Sequence, residues 1–185
     1  MNLQEIDKSF EKKSDKGWMH NYFLFYDTLF LPFKDKKLKI LEIGIKKGSS
    51  LRTWKEYFKN SEIFGIDIDS NSLINEDRIK SFLCNSSDPN DIKKLNGLTF
   101  DIIIDDGSHV PQDQKNTFNN FFNLVNSNGL YIIEDIKNVK TLKNEFIDFP
   151  ITEEFKKNIS YKVILDTSID TNFKRDSILF IIRKK

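Results

Sequence analysis

Short β-rich runs recur along this chain, and most are followed by a stretch whose apolar residues return with helical period. The runs are "LKILEIGI" (38–45), "EIFGIDI" (62–68), "IKSFLCN" (79–85), "FDIIIDD" (100–106), "GLYIIED" (129–135), "YKVILDT" (161–167) and "SILFIIRK" (177–184). Between them, Leu51, Trp54 and Phe58 share one helical face, as do Phe118, Phe121, Phe122 and Val125, with Pro111 placed to open the latter helix. Strands alternating with helices are βαβ units, which predict a doubly wound α/β fold on a mostly parallel sheet. The last two runs are separated only by "SIDTNFKRD". That is too short for a helical crossover, so they are expected to pair antiparallel. The predicted fold is therefore a seven-stranded sheet, five strands parallel and closed by an antiparallel pair, with helices on both faces.

The chain has 185 residues and reads as one domain over 1–185, with no repeat, low-complexity tract or Gly/Pro-rich linker. Residues 1–35 form a helical segment rich in rings (Trp18, Tyr22, Phe23, Phe25, Tyr26, Phe30), expected to pack across one edge of the sheet or to join a homo-oligomer contact. A net charge of +1 from 29 basic and 28 acidic side chains gives no electrostatic reason for a nucleic-acid partner. No apolar run approaches the ~20 residues of a membrane span. The charged start "MNLQEIDKSFEKKSDKG" is unlike a secretory signal, and a lone Cys84 excludes an internal disulfide; a cytoplasmic protein is expected.

In "LEIGIKKGSSL" (41–51) a strand enters a glycine loop and then a helix. Gly44 and Gly48 let a ligand approach the backbone, and Ser49 or Ser50 can cap the helix. Lys46 and Lys47 break the dinucleotide fingerprint G-x-G-x-x-G. About 20 residues on, "GIDID" offers Asp67 and Asp69, the position from which an acid accepts ribose hydroxyls. Loop and acid together favour a nucleoside-containing cofactor, with Asn85, Ser86 and Ser87 available to its base.

Asp106 closes the fourth run, and Glu134 and Asp135 close the fifth. On neighbouring strands ~4.8 Å apart these three carboxylates converge on one rim. Anions so close need a positive partner, and a hard divalent cation, Mg²⁺ or Mn²⁺, is the economical one. His109, three residues past Asp106, is placed to act as general base on a hydroxyl that such a cation acidifies.

These stretches, with "SDKGWMH" (14–20) and "RIKSFLCNSSDP" (78–89), resemble the class I S-adenosylmethionine-dependent methyltransferases. They are most similar to the metal-dependent sugar O-methyltransferases of macrolide biosynthesis, across about residues 14–136. The resemblance implies a methyl transfer from S-adenosylmethionine to a sugar hydroxyl, with Asp106, Glu134 and Asp135 as Mg²⁺ ligands and His109 as base. It implies the loop from Glu42 through Gly44 to Gly48 and Ser49 around the methionine part, and Asp67 with Asp69 at the ribose. Asn85 and Ser86 would border the adenine, and Asp105 would approach the sulfonium. Two features depart from the pattern: Lys46 replaces a glycine common in the loop, and the extra N-terminal domain or lid of some relatives is not expected here. The acceptor is expected to be a small-molecule sugar, free, nucleotide-linked or destined for a surface polysaccharide. A phenolic acceptor, a hydroxylase-like role, and a non-catalytic cofactor-binding module are the competing readings. His109 with three acids argues against a mere binder, which needs neither base nor metal.

Overall fold

The computed structural model describes residues 1–136, 151, 153–167 and 177–185. The connection 168–176, on which the short-crossover reading rested, lies outside them. Seven strands form one sheet: β1 (Lys39–Ile43), β2 (Glu62–Asp67), β3 (Ile79–Leu83), β4 (Phe100–Asp105), β5 (Val125–Ile133), β6 (Ile159–Asp166) and β7 (Ile178–Lys184). Their order is β3-β2-β1-β4-β5-β7-β6. The pairs among β1 to β5 are parallel, while β7 runs antiparallel to both β5 and β6. The predicted five-plus-two sheet is the one observed.

The order reverses at β1 and β4, so the loops leaving their carboxyl ends diverge and open a crevice there. Both faces of the sheet are covered, because the parallel strands are apolar on each side. On one face Ile40, Ile63, Ile102, Ile104 and Ile132 pack beneath α1 (Leu3–Ser9), α3 (Tyr22–Phe30) and α4 (Ser49–Tyr57). On the other, Leu41, Ile66, Ile103 and Tyr131 pack beneath α5 (Pro111–Phe121) and α6 (Glu153–Lys157). Pro111 occupies the first turn of α5, as its missing N–H allows.

The N-terminal rings cover a face of the sheet and not its edge. Tyr22, Phe23, Tyr26 and Phe30 are all fully buried, and three of them meet Trp54 of α4 edge-on, with centroids 5.5–5.8 Å apart. Each fully buried ring contributes on the order of 2–3 kcal/mol, so α3 and α4 hold each other on the sheet. Those four rings are therefore spent within the chain. Phe25 is half-buried, and Trp18, on the one-turn α2 (Asp15–Trp18), stays 65 % exposed.

Candidate active site

A cavity of about 920 Å³ opens at the carboxyl ends of β1, β2 and β4. Its wall includes Gly44, Ser49, Asp67, Asp69, Asn85 and Ser86 on one side, and Asp106, His109 and Asp135 on the other. Two groups of residues, drawn from separate parts of the sequence, thus share one space.

The glycine loop is built by close packing. Gly44 has φ +84°, and a Cβ there would lie 2.2 Å from the Asp106 carbonyl oxygen. Only glycine fits, because the neighbour is backbone and cannot yield. Gly44→Ala is expected to destabilise the fold by about 2–3 kcal/mol, read as a lowered denaturation midpoint. Lys46 also sits in the left-handed region, at φ 50°, a conformation that glycine adopts at no steric cost. The loop is then clamped from β2: Asp67 Oδ2 accepts the N–H groups of Ile45 and Lys46, each at 2.9 Å, and Oδ1 accepts that of Asp69. Asp67 therefore shapes the loop as well as facing the cavity. Neither serine caps the helix as expected. Gly48 is the N-cap, without a side-chain bond, and Ser50 donates instead to Glu42.

Two residues expected at the cofactor lie elsewhere. Glu42 is fully buried beneath the loop, its Oε2 accepting from Ser50 (2.8 Å) and Trp54 Nε1 (3.0 Å). Asp105 is 2 % exposed and accepts from the Gly107 N–H and the Tyr131 hydroxyl, both at 3.3 Å. Neither is among the residues that line the cavity. The pleat explains Asp105: as the last residue of β4 it shares the face of Ile103, turned into the core, and the next residue takes the rim. Burial raises its carboxyl to about 7.

The acid rim differs from expectation in one respect. A positive partner for two of the three expected carboxylates, Asp106 and Glu134, is present in the chain: Lys16, from α2, 1 % exposed, which also meets Glu42. Its Nζ lies 2.5 Å from Asp106 Oδ2, 2.6 Å from Glu134 Oε2 and 3.2 Å from Glu42 Oε1. Burial alone would strip its proton, but the three carboxylates outweigh it and hold the ammonium charged. Lys16 also keeps the Asp106 carboxyl below its ordinary range in spite of burial. Glu42 Oε1 accepts no aligned hydrogen bond and is held by this charge alone.

Glu134, expected on the metal, has Oε2 on Lys16 and Oε1 on the Tyr26 hydroxyl at 2.6 Å. Among the described residues, the set whose ligand atoms lie within 4.8 Å of one another is Asp106, His109 and Asp135. His109 Nε2 is 3.5 Å from Asp106 Oδ1 and 3.4 Å from Asp135 Oδ2. Asp135 is oriented by Tyr22, whose hydroxyl donates to Oδ1 at 2.8 Å, and sits at φ 52°. A left-handed aspartate at a cavity wall is strained by about 1 kcal/mol and is typical of functional positions. Two carboxylate oxygens beside an imidazole are hard donors that suit Mg²⁺ or Mn²⁺.

Sequence reasoning missed Lys16, Tyr22 and Tyr26 as site residues. The signal was the "SDKGWMH" stretch, whose lysine could have been weighed as the counter-charge.

Strand order, glycine loop and reversed-order crevice define a class I methyltransferase fold. Within that fold the chain is similar to the sugar O-methyltransferases expected from its motifs. It is 35% identical over 133 residues, 67% of its length, to the 8-demethyl-8-alpha-L-rhamnosyl tetracenomycin-C 2'-O-methyltransferase of Streptomyces olivaceus. It is also 35% identical over 132 residues, 65% of its length, to the mycinamicin VI 2''-O-methyltransferase of Micromonospora griseorubida. It spans about a third of those relatives, 35% and 32% of their lengths. The solved MycE methyltransferase of the mycinamycin biosynthetic pathway, in complex with Mg and SAH, superposes with a TM-score of 0.81 at 25% identity. That match covers 100% of this chain and 55% of MycE. No family model matches the chain.

Proposed function

We propose that this chain carries an S-adenosylmethionine- and Mg²⁺-dependent O-methyltransferase activity toward a sugar hydroxyl. The observation that supports this most is the opening of the Asp106–His109–Asp135 cluster into the same cavity as the glycine loop and Asp67. A general base, a hard-cation donor set and a nucleoside cradle face one another across that space. The relatives' names, which are those of sugar O-methyltransferases, and the Mg and SAH of the MycE complex point the same way.

Each chain residue then has a task. Gly44, Ser49 and the intervening backbone hold the methionine part. Asp67 and Asp69 accept the ribose hydroxyls, and Asn85 with Ser86 borders the base. Asp106 and Asp135 hold the cation from one side, and Glu134, the third ligand that the resemblance implies, stands immediately behind them on Lys16. When bound, the sulfonium cofactor supplies the methyl group and Mg²⁺ supplies the Lewis acidity that eases deprotonation of the acceptor hydroxyl. His109 Nε2 takes that proton, and the fixed walls keep the acceptor oxygen in line with the methyl carbon. Trp18, exposed at the cavity mouth, offers a flat apolar face of the kind a sugar ring stacks on.

The deciding experiment is a mass-spectrometric methyl-transfer screen of rhamnosylated small molecules, nucleotide sugars and catechols. Each is run with Mg²⁺, with Mn²⁺ and with chelator. Sugar methylation that falls at least tenfold on chelation and returns with either cation is expected. Turnover of catechols alone, or activity indifferent to chelation, would overturn the reading.

A further inference from the structure

Lys16 has no task in the reaction above, yet more of the site's charge converges on it than on any other described side chain. The geometry points to Lys16 as the standing counter-ion of the acid rim, fixed beside the cation position so that the rim binds a divalent cation loosely and exchangeably. This rests on the cation reading of Asp106 and Asp135.

Three observations carry it. The Lys16 ammonium donates hydrogen bonds to Asp106 and Glu134 and has Glu42 Oε1 3.2 Å away as a purely ionic third partner, so carboxylates from the ends of three different strands surround it. The rim is therefore charge-balanced in part before any ion arrives. Asp106 also divides its oxygens: Oδ2 faces Lys16, while Oδ1 faces His109 and the open cluster. Lys16 thus sets the orientation that presents Oδ1, which makes it a positioning residue. Finally, the chain fixes the backbone from which Lys16 reaches the rim: Ser14 Oγ caps α2 on the Lys16 N–H, and Asp7 Oδ1 accepts the Ser14 N–H at 2.8 Å. An ammonium on Asp106 Oδ2 repels a divalent cation held by the same carboxylate.

The test is Mn²⁺ binding to the full chain, followed by the electron paramagnetic resonance of the free ion, with no acceptor or turnover involved. Lys16→Met is expected to bind Mn²⁺ at least tenfold more tightly than the unaltered chain, and the bound-ion spectrum is expected to change as Asp106 gains freedom. Adding Glu42→Gln, which removes one buried negative charge without touching the cavity wall, is expected to bring the affinity part of the way back. Should Lys16→Met alone fail to fold, the comparison is made between Glu42→Gln and Lys16→Met/Glu42→Gln, and the double variant must bind at least tenfold tighter. Equal or weaker binding without Lys16 overturns the inference and leaves the cation reading standing. An unaltered chain that takes up no Mn²⁺ overturns both.

Discussion

His109→Ala is expected to slow methyl transfer by about 10²–10⁴-fold, the usual worth of a positioned general base, with cofactor affinity within a few-fold of the unaltered chain. The separation follows from the layout. His109 stands with Asp106 and Asp135, whereas Gly44, Ser49 and Asp67 lie on the other side of the cavity. Calorimetric titration with S-adenosylhomocysteine reads the binding half, and single-turnover methylation of the best acceptor reads the chemical half. Asp106→Asn serves as the contrast. It removes a carboxylate that lies against Lys16 and belongs to the donor set, so it is expected to cost Mn²⁺ affinity as well as rate. If His109→Ala retained full turnover, the base would have to be sought elsewhere on the rim.

Asp105→Asn is expected to make the protein more stable at neutral and alkaline pH, an unusual result for a buried, hydrogen-bonded acid. Burial raises the folded-state carboxyl from 3.8 to about 7, opposed by the Gly107 N–H and the Tyr131 hydroxyl. A group whose folded value is raised contributes stability that is fully present below its unfolded value. That contribution is lost as pH rises through the folded value, here between about pH 4 and 7. Above pH 7 the aspartate is thus a liability on the order of 2–4 kcal/mol. Asparagine keeps an acceptor for Gly107 and turns its NH2 to the Tyr131 hydroxyl oxygen, which then accepts instead of donating, so it sheds the liability for the loss of one donated bond. Urea denaturation at pH 4.5 and pH 8 checks this: the variant should gain at the higher pH and show a flatter profile between the two. An equal effect at both values would mean that Asp105 is not the titrating group.

Much of the architecture was legible because it rests on local pattern. "FDIIIDD" and "GLYIIED" are apolar on both faces, which marks central parallel strands, and the structure pairs them as neighbours with Asp105 opposite Ile133. Leu51, Trp54 and Phe58 announced α4 by spacing alone. Strand adjacency led to the expectation that Asp106, Glu134 and Asp135 meet on one rim; Asp106 and Asp135 do so beside His109, while Glu134 turns to Lys16 and Tyr26. What stayed hidden depends on contacts distant in sequence. Lys16 is 90 residues from Asp106 and 118 from Glu134, so its "SDKGWMH" stretch marks the lysine without saying which carboxylates it will meet. The roles of the Asp105–Asp106 doublet were equally hidden, since both are carboxylates at one strand end. Only the pleat decides which enters the core. The capping serines failed for a similar reason: Ser50 had a better acceptor, Glu42, waiting under the helix.

The contact between Gly44 and the Asp106 carbonyl has a consequence for how such a site can diversify. The cradle on one side and the acid rim on the other are separated by a wall a single peptide thick, further tied by the Asp106 N–H to the Ile43 carbonyl at 2.9 Å. A wall that thin has no slack to absorb an insertion or a bulkier residue on either side. A substitution on one side of that wall is therefore expected to be felt on the other, whereas a change at the cavity mouth around the exposed Trp18 is expected to leave both halves in place.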